Sequence, residues 1–408
     1  MINPTSKILF LTAELPYPPI SGGKLKSWKL LEFLSQNYSV AVAAILKEED
    51  ESYVNEFLSK LEMSDFFSAV VKRPRNLLNL FKSYLQGIPL NLYRTYTKNF
   101  AKIIKQRIEE YDLVICDHYE VFQYISHNYK GKVILHEHNA YYLMWQRYAE
   151  DSNHTIGKRL VSYCEAQRVI YFEKKACTRA DLIFASPNDI DTLENIGVDR
   201  KKCKYTYHLG DDSQLLLAPL EYKKTNKSLL YIGSLTWEAN VDGLLWFIEY
   251  VWSTLIFLHP DLTFNIVGKN PDPRLLQIAA TCKGISFTGF VQDLEPYFQQ
   301  HRIFIAPIRF GAGMKVKVLN AMCRGIPTVT TSVGCEGMDV KHLQHLIIAD
   351  DAEDMAQLID GLLCDQQSWE ILEQQSRQLI KSKYTWKALF TNMKFEIDNV
   401  MKQPELIT

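Results

Sequence analysis

The stretch APIRFGAGMKVKVLNAMCRGIP, residues 306–327, decides the fold, because it reads as the end of a strand, a glycine turn and the start of a helix. Gly311 and Gly313 make a turn without side-chain obstruction. Backbone N–H groups at such a helix start point outward and, together with the helix dipole, bind phosphate. Arg309 and Lys315 would flank that anion. Taken alone, the pattern also fits ordinary turn glycines and a solvated, cationic helix end.

The same order of strand, loop and helix recurs along the chain. It begins with an apolar run at residues 7–12, a Pro/Gly-rich loop to Gly23 and a helical pattern to Gln36. Later apolar runs of strand length lie at residues 40–46, 113–116, 133–136, 182–185, 229–232, 264–267, 285–287, 303–306, 328–330 and 345–348. Such alternation predicts parallel sheets covered by helices.

A polar stretch at residues 221–227 separates two series of similar size. We therefore predict an α/β protein of two Rossmann-like, doubly wound parallel-sheet domains, over residues 1–208 and 209–385. Residues 386–408 are predicted to form a helix that returns to the N-terminal domain. Open sheets of this kind bind ligands at the carboxyl ends of their strands, so the expected site is a central cleft that the two domains face.

Charge and composition exclude several classes of protein. The 46 basic and 47 acidic residues among 408 give a net charge of -1, which argues against a dedicated nucleic-acid binder. The eight cysteines are scattered without metal-finger spacing. Residues 244–258, the longest apolar run, are interrupted by Glu249 and too short for a membrane span. With no secretory signal pattern at the N-terminus, we expect a cytoplasmic protein.

Residues 306–327 resemble the donor-site segment of glycosyltransferase family 4, retaining enzymes with the GT-B fold of two facing Rossmann-like domains. The segment resembles especially the subgroup of sugar transferases associated with bacterial exopolysaccharide clusters, whose segment runs Arg-x-Gly-x-Gly-x-Lys-x-Lys-x-Leu-Glu-Ala-Met. Further matches in the same order cover about residues 7 to 390. They are Gly22-Gly23, His138-Asn139, Glu173 with Ala180-Asp181, Gly233 to Trp237 with Asn240, Val267 to Asn270, and Gly289 to Asp293.

The resemblance implies a retaining, metal-independent hexosyltransferase in polysaccharide or glycolipid assembly. Its donor would be a nucleotide-diphosphate sugar, with UDP or GDP as the nucleotide, its acceptor a saccharide or lipid-linked hydroxyl, and no further cofactor is implied. His138 would orient the sugar, while Arg309 and Lys315 would stabilise the departing diphosphate. The donor contacts that the resemblance implies are Gly22, Gly23, Gly233, Asn240, Val291, Gly311, Ala312, Gly313, Met314 and Asn320.

Two departures from the family pattern keep other functions open. The wider family often has two glutamates eight positions apart, where this chain has Ala312 and Asn320. Its Arg and Lys after the first strand of the second domain are also missing, because Ser234, Ala239 and Asn240 occupy that region. A catalytically inactive scaffold or partner of another transferase is one alternative. A nucleotide-sugar epimerase or phosphorylase is the other.

Two acidic or histidine-rich patterns resemble metal sites. His136, Glu137 and His138 offer two side chains on one face of a strand and no identified third ligand, so no metal is predicted. His138 also fits a structural loop histidine. Asp189 and Asp191 imitate an Asp-x-Asp motif but fall at a predicted helix start, where capping explains them better.

Residues 72–108 contain nine basic residues and no acidic one, with aromatic residues interleaved. This composition suits an anionic membrane surface or a lipid-phosphate acceptor, so we expect peripheral contact with the inner face of the membrane. A solvated surface over core aromatics is the alternative. The residues assigned to this patch are Lys72, Arg73, Arg75, Lys82 and Arg94.

Overall fold

The computed structural model describes residues 6–74, 76–150, 155–207, 209–311 and 314–402. The chain divides into two compact units: unit 1 comprises residues 1–208 and 390–408, and unit 2 comprises residues 209–389. Each unit is built on one parallel sheet, as the alternation of strands and helices predicts.

The sheet of unit 1 has seven strands in the order β3-β2-β1-β4-β5-β6-β7, all parallel. The strands are Lys7–Thr12 (β1), Ser39–Leu46 (β2), Asp65–Val70 (β3), Leu113–Asp117 (β4), Lys132–His136 (β5), Leu182–Ala185 (β6) and Cys203–Tyr205 (β7). The direction of strand order reverses between β1 and β4. Ligands of open parallel sheets bind at such a reversal, beyond the carboxyl ends of the strands.

The central strands of unit 1 are continuous apolar runs because helices cover both faces of a parallel sheet. All five residues of β4 are buried, and so are seven of the eight residues of β2. The helices are Gly22–Asn37 (α1), Val54–Lys60 (α2), Leu77–Leu85 (α3), Leu90–Thr95 (α4), Lys98–Arg107 (α5), Tyr141–Glu150 (α6), Ile156–Arg179 (α7) and Pro187–Asn195 (α8).

Unit 2 repeats this arrangement with six parallel strands in the order β10-β9-β8-β11-β12-β13. They are Asn226–Ile232 (β8), Thr263–Val267 (β9), Ile285–Gly289 (β10), His301–Ala306 (β11), Thr328–Thr330 (β12) and Ile347–Ile348 (β13). The reversal here lies between β8 and β11. The helices that begin in unit 2 are Glu238–Trp246 (α9), Ser253–Leu258 (α10), Pro273–Ala280 (α11), Glu295–Gln300 (α12), Val316–Arg324 (α13), Ala352–Cys364 (α14), Gln366–Lys383 (α15) and Trp386–Lys402 (α16), the last of which continues into unit 1.

Helices α9 and α10 are continuous through a π-helical turn, Phe247–Trp252. The resulting 21-residue helix, Glu238–Leu258, has a mean hydropathy of 1.5 and is long and apolar enough to cross a membrane. The helix is longer than the apolar run at residues 244–258, and 44% of its apolar window is buried inside the protein. The prediction of no membrane span stays a prediction. Phe247 and Trp252 pack against Phe264 of β9, so the core of unit 2 accounts for much of this apolar surface.

The sequence did not predict two of the described strands, β3 and β7. Strand β3, at the edge of the first sheet, is only half-buried along its whole length and lacks a clear apolar run. Strand β7 has three residues, which is too short for a periodic pattern. Both lie at the sides of the sheet, so their omission leaves the central strands and the reversal point as predicted.

Helix α16 contributes to unit 1 from Phe390 onward. Phe390 stacks on Phe33 of α1 with ring centroids 4.8 Å apart. Farther along the helix, Asp398 accepts a hydrogen bond from the hydroxyl of Tyr38 at 2.6 Å. These contacts attach the last helix to the helix that carries Gly22 and Gly23.

Candidate functional site

The loop between β11 and α13 carries the predicted phosphate-binding turn. Gly311 has a φ of 118°, a left-handed conformation that favours glycine. The backbone becomes helical at Val316, directly after Lys315. Ala312 and Gly313, two of the predicted donor contacts, lie outside the described residues. The loop leaves the sheet next to β8, at the reversal point of unit 2.

Both predicted diphosphate cations have carboxylate neighbours within unit 2. The guanidinium of Arg309, 47% exposed, lies 3.5 Å from a carboxylate oxygen of Asp242. The ammonium of Lys315 is buried, and a carboxylate oxygen of Glu336 lies 3.9 Å from it. Arg309 is thus accessible to an anion, whereas the side chain of Lys315 is buried.

A third cation, Lys317, was missed by the sequence analysis although the same Lys-x-Lys pattern contains it. Its ammonium donates hydrogen bonds to the hydroxyl of Tyr231 at 2.9 Å and to Oδ1 of Asn240 at 2.5 Å. Burial, reinforced by the charge of Lys315, lowers the pKa of Lys317 to about 7. The second lysine of the pattern is therefore held at the end of β8.

Gly233 follows β8 and lies over this ammonium. A Cβ atom there would come 2.7 Å from the Tyr231 hydroxyl oxygen and 3.0 Å from Lys317 Nζ. Asn240, buried on α9, also donates a hydrogen bond to the carbonyl of Ser234 at 2.7 Å. A side chain at 233 would therefore displace these groups, and both ends of the Asn240 amide are engaged within unit 2.

The remaining predicted donor contacts occupy varied environments. The side-chain oxygen Oδ1 of Asn320 accepts a hydrogen bond from the backbone N–H of Asp211 at 3.1 Å. This oxygen is therefore already engaged by a contact within unit 2. Met314 is buried. Val291 is half-buried in the loop after β10. The structure brings Gly233, Asn240 and the β11–α13 loop to adjacent strand ends, while Val291 follows the outermost strand of the sheet.

In unit 1, Asp117 at the end of β4 organises a buried polar cluster. Its carboxylate accepts hydrogen bonds from Thr12 Oγ1 at 3.1 Å and Ser27 Oγ at 2.6 Å. His136 Nδ1 and His138 Nε2 lie 2.7 and 2.8 Å from the same carboxylate oxygen. Strands β1, β4 and β5 and helix α1 thus meet at one ionised group.

Electrostatics keep this cluster in one protonation state near neutral pH. Burial opposes ionisation of Asp117, but the neighbouring histidines outweigh it and hold the pKa of Asp117 well below its usual range. Burial lowers the pKa of His136 to about 4, with Lys26 contributing. Burial, with the neighbouring His118 contributing, also lowers the pKa of His138 well below its usual range. Neutral imidazoles that donate N–H groups to a carboxylate fit these directions.

His138, the predicted sugar-orienting residue, is 1% exposed. Its ring stacks on His118 with centroids 3.9 Å apart. A Cβ atom added to Gly23 would lie 3.7 Å from His138 Nδ1, and one added to Gly22 would meet nothing within 4 Å. The two glycines are therefore not required by close packing within the described chain, and their role in ligand approach stays a prediction.

Buried acidic groups lie beside this cluster. Neither carboxylate oxygen of Glu137 has a hydrogen-bond partner among the described residues. Burial, together with Glu173, raises the pKa of Glu137 well above its usual range. Burial also raises the pKa of Glu173 to about 8, although its carboxylate accepts the backbone N–H groups of Tyr141 and Tyr142.

The third ligand that the sequence analysis lacked for a metal site is Asp117. One ligand atom from each of Asp117, His136 and His138 lies within 4.8 Å of the others. The 2.7 and 2.8 Å separations are hydrogen-bond distances, so both imidazoles contact the same carboxylate oxygen of Asp117. Asp189 and Asp191 do not converge. The Asp189 carboxylate accepts the N–H of Ala140, and Asp191 pairs with Arg200.

Much of the charge of the basic patch is engaged by contacts within unit 1. Lys72 pairs with Glu48. Arg73 donates to the carbonyl of Tyr93 and lies over its ring, and Arg94 Nε donates to the carbonyl of Arg73 at 2.8 Å. Lys82 is exposed on α3, and Arg75 lies outside the described residues.

Helix α3 has its apolar side chains turned outward. Its buried residues are the polar Asn79 and Ser83, and Asn79 Nδ2 donates to the carbonyl of Pro74 at 2.8 Å. The exposed large side chains of the helix are Leu77, Leu78, Phe81, Tyr84 and Leu85. This distribution is the reverse of that expected for a helix whose outer face meets water.

Residues 226–365 match the family described as Glycosyl transferases group 1. The chain is also 26% identical, over 85% of its length and 88% of the relative, to an uncharacterised 44.6 kDa protein in the cps region of Klebsiella pneumoniae. The matched family segment spans the strand ends and loops that carry Gly233, Asn240 and Lys317.

Solved structures resemble the chain over nearly its full length. HepE of Anabaena, in complex with UDP, aligns over 96% of this chain and 100% of its own, with a TM-score of 0.64 and 13% identity. A glycosyltransferase from Rickettsia africae gives 0.63 at 12% identity, covering 98% and 100%. TarM of S. aureus, with fondaparinux, α-GlcNAc-glycerol and UDP, gives 0.61 at 11%, covering 98% and 100%. These likenesses confirm the predicted GT-B fold.

Proposed function

We propose that this chain, a glycosyltransferase with the GT-B fold, transfers a sugar from a nucleotide-diphosphate sugar to an acceptor hydroxyl with retention and without a metal ion. The observation that carries the proposal is the convergence of Gly233, Arg309 and the Gly311 turn on the strand-order reversal of unit 2. This is the place where α/β sheets bind nucleotides. UDP in the HepE and TarM structures supports a uridine nucleotide as donor.

In this reaction the protein mainly positions the donor and the acceptor, and it needs no covalent intermediate with the sugar. The acceptor hydroxyl attacks the anomeric carbon from the side that the diphosphate leaves, and its proton passes to the departing phosphate. Arg309, Lys315 and the N–H groups of the glycine turn stabilise the negative charge that develops there. His138, held by Asp117, orients the sugar or polarises one of its hydroxyls. The K. pneumoniae relative from a cps region supports polysaccharide assembly as the setting.

Nucleotide binding tests the donor assignment. In a thermal-unfolding panel of UDP, GDP, ADP and their common sugars, we expect a selective rise in stability with UDP or GDP. At a ligand concentration about 100-fold above Kd the gain is about 2.7 kcal/mol. A chelator should leave both the shift and the turnover unchanged. Loss of turnover with chelator, restored by a divalent ion, would overturn metal independence and direct attention to Asp117, His136 and His138.

Lys315→Ala tests the catalytic assignment. Loss of a cation beside the departing diphosphate should lower kcat by about 100-fold, the cost of removing one preorganised electrostatic partner. Lys223→Ala, which changes an exposed lysine of unit 2, is the matched control and should keep full turnover. Near-normal turnover of Lys315→Ala would remove this residue from the diphosphate site.

Two alternatives have separate outcomes. An inactive scaffold, suggested by Asn320 in place of the family's glutamate, gives no stabilisation with any nucleotide at millimolar concentration. An epimerase or phosphorylase consumes or converts the nucleotide sugar without an acceptor. A transferase consumes the donor in proportion to added acceptor, so donor consumption with and without acceptor separates these functions.

The exposed apolar face of α3 supports peripheral contact with an anionic membrane. Leu77, Phe81 and Leu85 would enter the interface, while Lys82 would approach anionic headgroups. Binding to vesicles that contain phosphatidylglycerol should exceed binding to neutral phosphatidylcholine vesicles. The double variant Leu77→Ser and Phe81→Ser should weaken it at least about tenfold. Phe257→Ser, at an equally exposed apolar residue of unit 2, should not. Equal vesicle binding by all variants would contradict this assignment.

A further inference from the structure

The ammonium of Lys317 is held at one point by three elements of unit 2. It extends from the first turn of α13, donates to Tyr231 on β8 and Asn240 on α9, and lies 4.8 Å from the centroid of the Tyr231 ring. Asn240 is fixed in turn by the carbonyl of Ser234. A lysine side chain is otherwise among the most mobile, so this arrangement fixes where the charge lies.

The fixed charge lies at the reversal point of the sheet. The side chains of Tyr231 and Lys317 come from β8 and from the helix after β11, which are neighbours in the strand order. Gly233 passes over the ammonium, since a Cβ atom there would be 3.0 Å from Lys317 Nζ. An anion at the strand ends would therefore be separated from this ammonium only by the backbone of Gly233, with no side chain in between.

The charge of Lys317 also differs from those of Arg309 and Lys315 in its partners. Those two cations have the carboxylates of Asp242 and Glu336 nearby. Both hydrogen-bond partners of Lys317 are neutral, and none of the ion pairs formed within the described part of the chain includes it. A largely desolvated cation without a counter-charge is costly, and an anionic ligand would remove that cost.

We propose that Lys317 binds the diphosphate of the donor in unit 2, and that Tyr231 and Asn240 are the positioning residues that hold it there. This inference rests on the proposed function, because it takes a nucleoside diphosphate as the ligand of this unit. It also revises the assignment of Asn240, whose amide is occupied by Lys317 and Ser234 rather than available to the ribose.

A proton should accompany the ligand. In the free protein, burial and the charge of Lys315 lower the pKa of Lys317 to about 7. The other groups that face it are neutral: Asn240, and Tyr231, whose pKa is raised by burial. A bound diphosphate favours the ammonium form and raises the pKa of Lys317. UDP binding above pH 7 therefore takes up a proton, and its affinity falls up to about tenfold per pH unit until the pKa of the complex is reached.

Calorimetric titration with UDP at pH 8, in buffers of different ionisation enthalpy, measures this proton. The second phosphate ionisation, with a pKa of about 6, is complete at pH 8, so UDP itself contributes little. The wild-type protein should take up close to one proton per UDP. Lys317→Met should bind UDP at least about tenfold more weakly and take up none. Lys317→Arg, which keeps its charge at every accessible pH, should retain more affinity yet take up no proton.

Lys394→Met is the matched control, because Lys394 also lies 4.8 Å from a tyrosine ring, that of Tyr38, but in unit 1. It should match the wild type in affinity and proton uptake, and thermal unfolding without ligand should show each variant folded. Unchanged UDP affinity in Lys317→Met, or unchanged proton uptake in Lys317→Arg, would overturn the inference. Failure of the wild-type protein to bind any nucleoside diphosphate would instead overturn the proposed function.

Discussion

At the scale of single residues, the Asp117 cluster is formed by residues far apart in the chain, so no local sequence pattern predicts it. Thr12 and Asp117 are 105 positions apart, and Asp117 itself closes an ordinary apolar run. His138 could be singled out from its motif, whereas its carboxylate partner required the register of β4 and β5, in which Asp117 pairs with His136. Lys317 was missed for a different reason: its sequence pattern was noticed, but Tyr231 and Asn240 decide which lysine lies at the strand ends.

The low pKa of His136 predicts acid sensitivity of unit 1. The folded state holds this imidazole neutral down to about pH 4, whereas the unfolded chain protonates it near pH 6.5. The unfolded state thus binds more protons below pH 6.5, and stability falls as the pH is lowered from there. The shift corresponds to about 3 kcal/mol at pH 4. Urea unfolding as a function of pH measures it.

His136→Asn should flatten the fall in unfolding free energy between pH 6.5 and 4, because asparagine can still donate to Asp117 but does not titrate. His127→Asn changes an exposed histidine and serves as the control, with the slope of the wild type. A wild-type stability that stays level or rises over this range would show that His136 is charged in the folded protein.

At the scale of elements, periodicity identified the central strands but not the sides of the first sheet. The half-buried β3 and the three-residue β7 have no strong pattern, since their neighbours in the sheet supply the reason for their extended backbone. The number of charged residues in this region likewise did not predict that the apolar face of α3 is exposed. Its helical periodicity says which residues share a face but not which face is buried.

Helix α16 should stabilise unit 1 measurably through Phe390. Phe390→Ala removes a buried ring that stacks on Phe33 and should cost about 3 kcal/mol of unfolding free energy. Phe395→Ala, in the same helix but 64% exposed, should cost less than about 0.5 kcal/mol. Equal costs in urea unfolding would mean that the stacked pair contributes no more than an exposed ring.

At the scale of the whole molecule, the two predicted chemical roles fall on different units. The diphosphate cations belong to unit 2 and the His138 cluster to unit 1. The order of strands and helices was sufficient to predict both parallel sheets. The assignment of roles came from resemblance to a family and stays a prediction until the two roles are measured separately.

Separate roles predict separable kinetics. His138→Asn should lower kcat by at least about tenfold and leave the dissociation constant for UDP within about twofold, because it changes unit 1 alone. Lys315→Ala should weaken UDP binding as well as turnover. Direct UDP titration beside steady-state kinetics provides the comparison. A His138→Asn protein that turns over normally would assign this histidine to structure only.

The attachment of residues 390–402 to unit 1 has a consequence for protein synthesis. A ribosome releases residues 1–208 long before α16 exists, and must first make residues 209–389. At about 5 to 20 residues per second this takes about 10 to 40 s. During that time Phe33 and Tyr38 lack their partners in α16. The nascent first unit therefore exposes an apolar surface that chaperones can bind. Unit 2 can therefore complete its sheet before α16 is made. Unit 1, although it is synthesised first, is completed last.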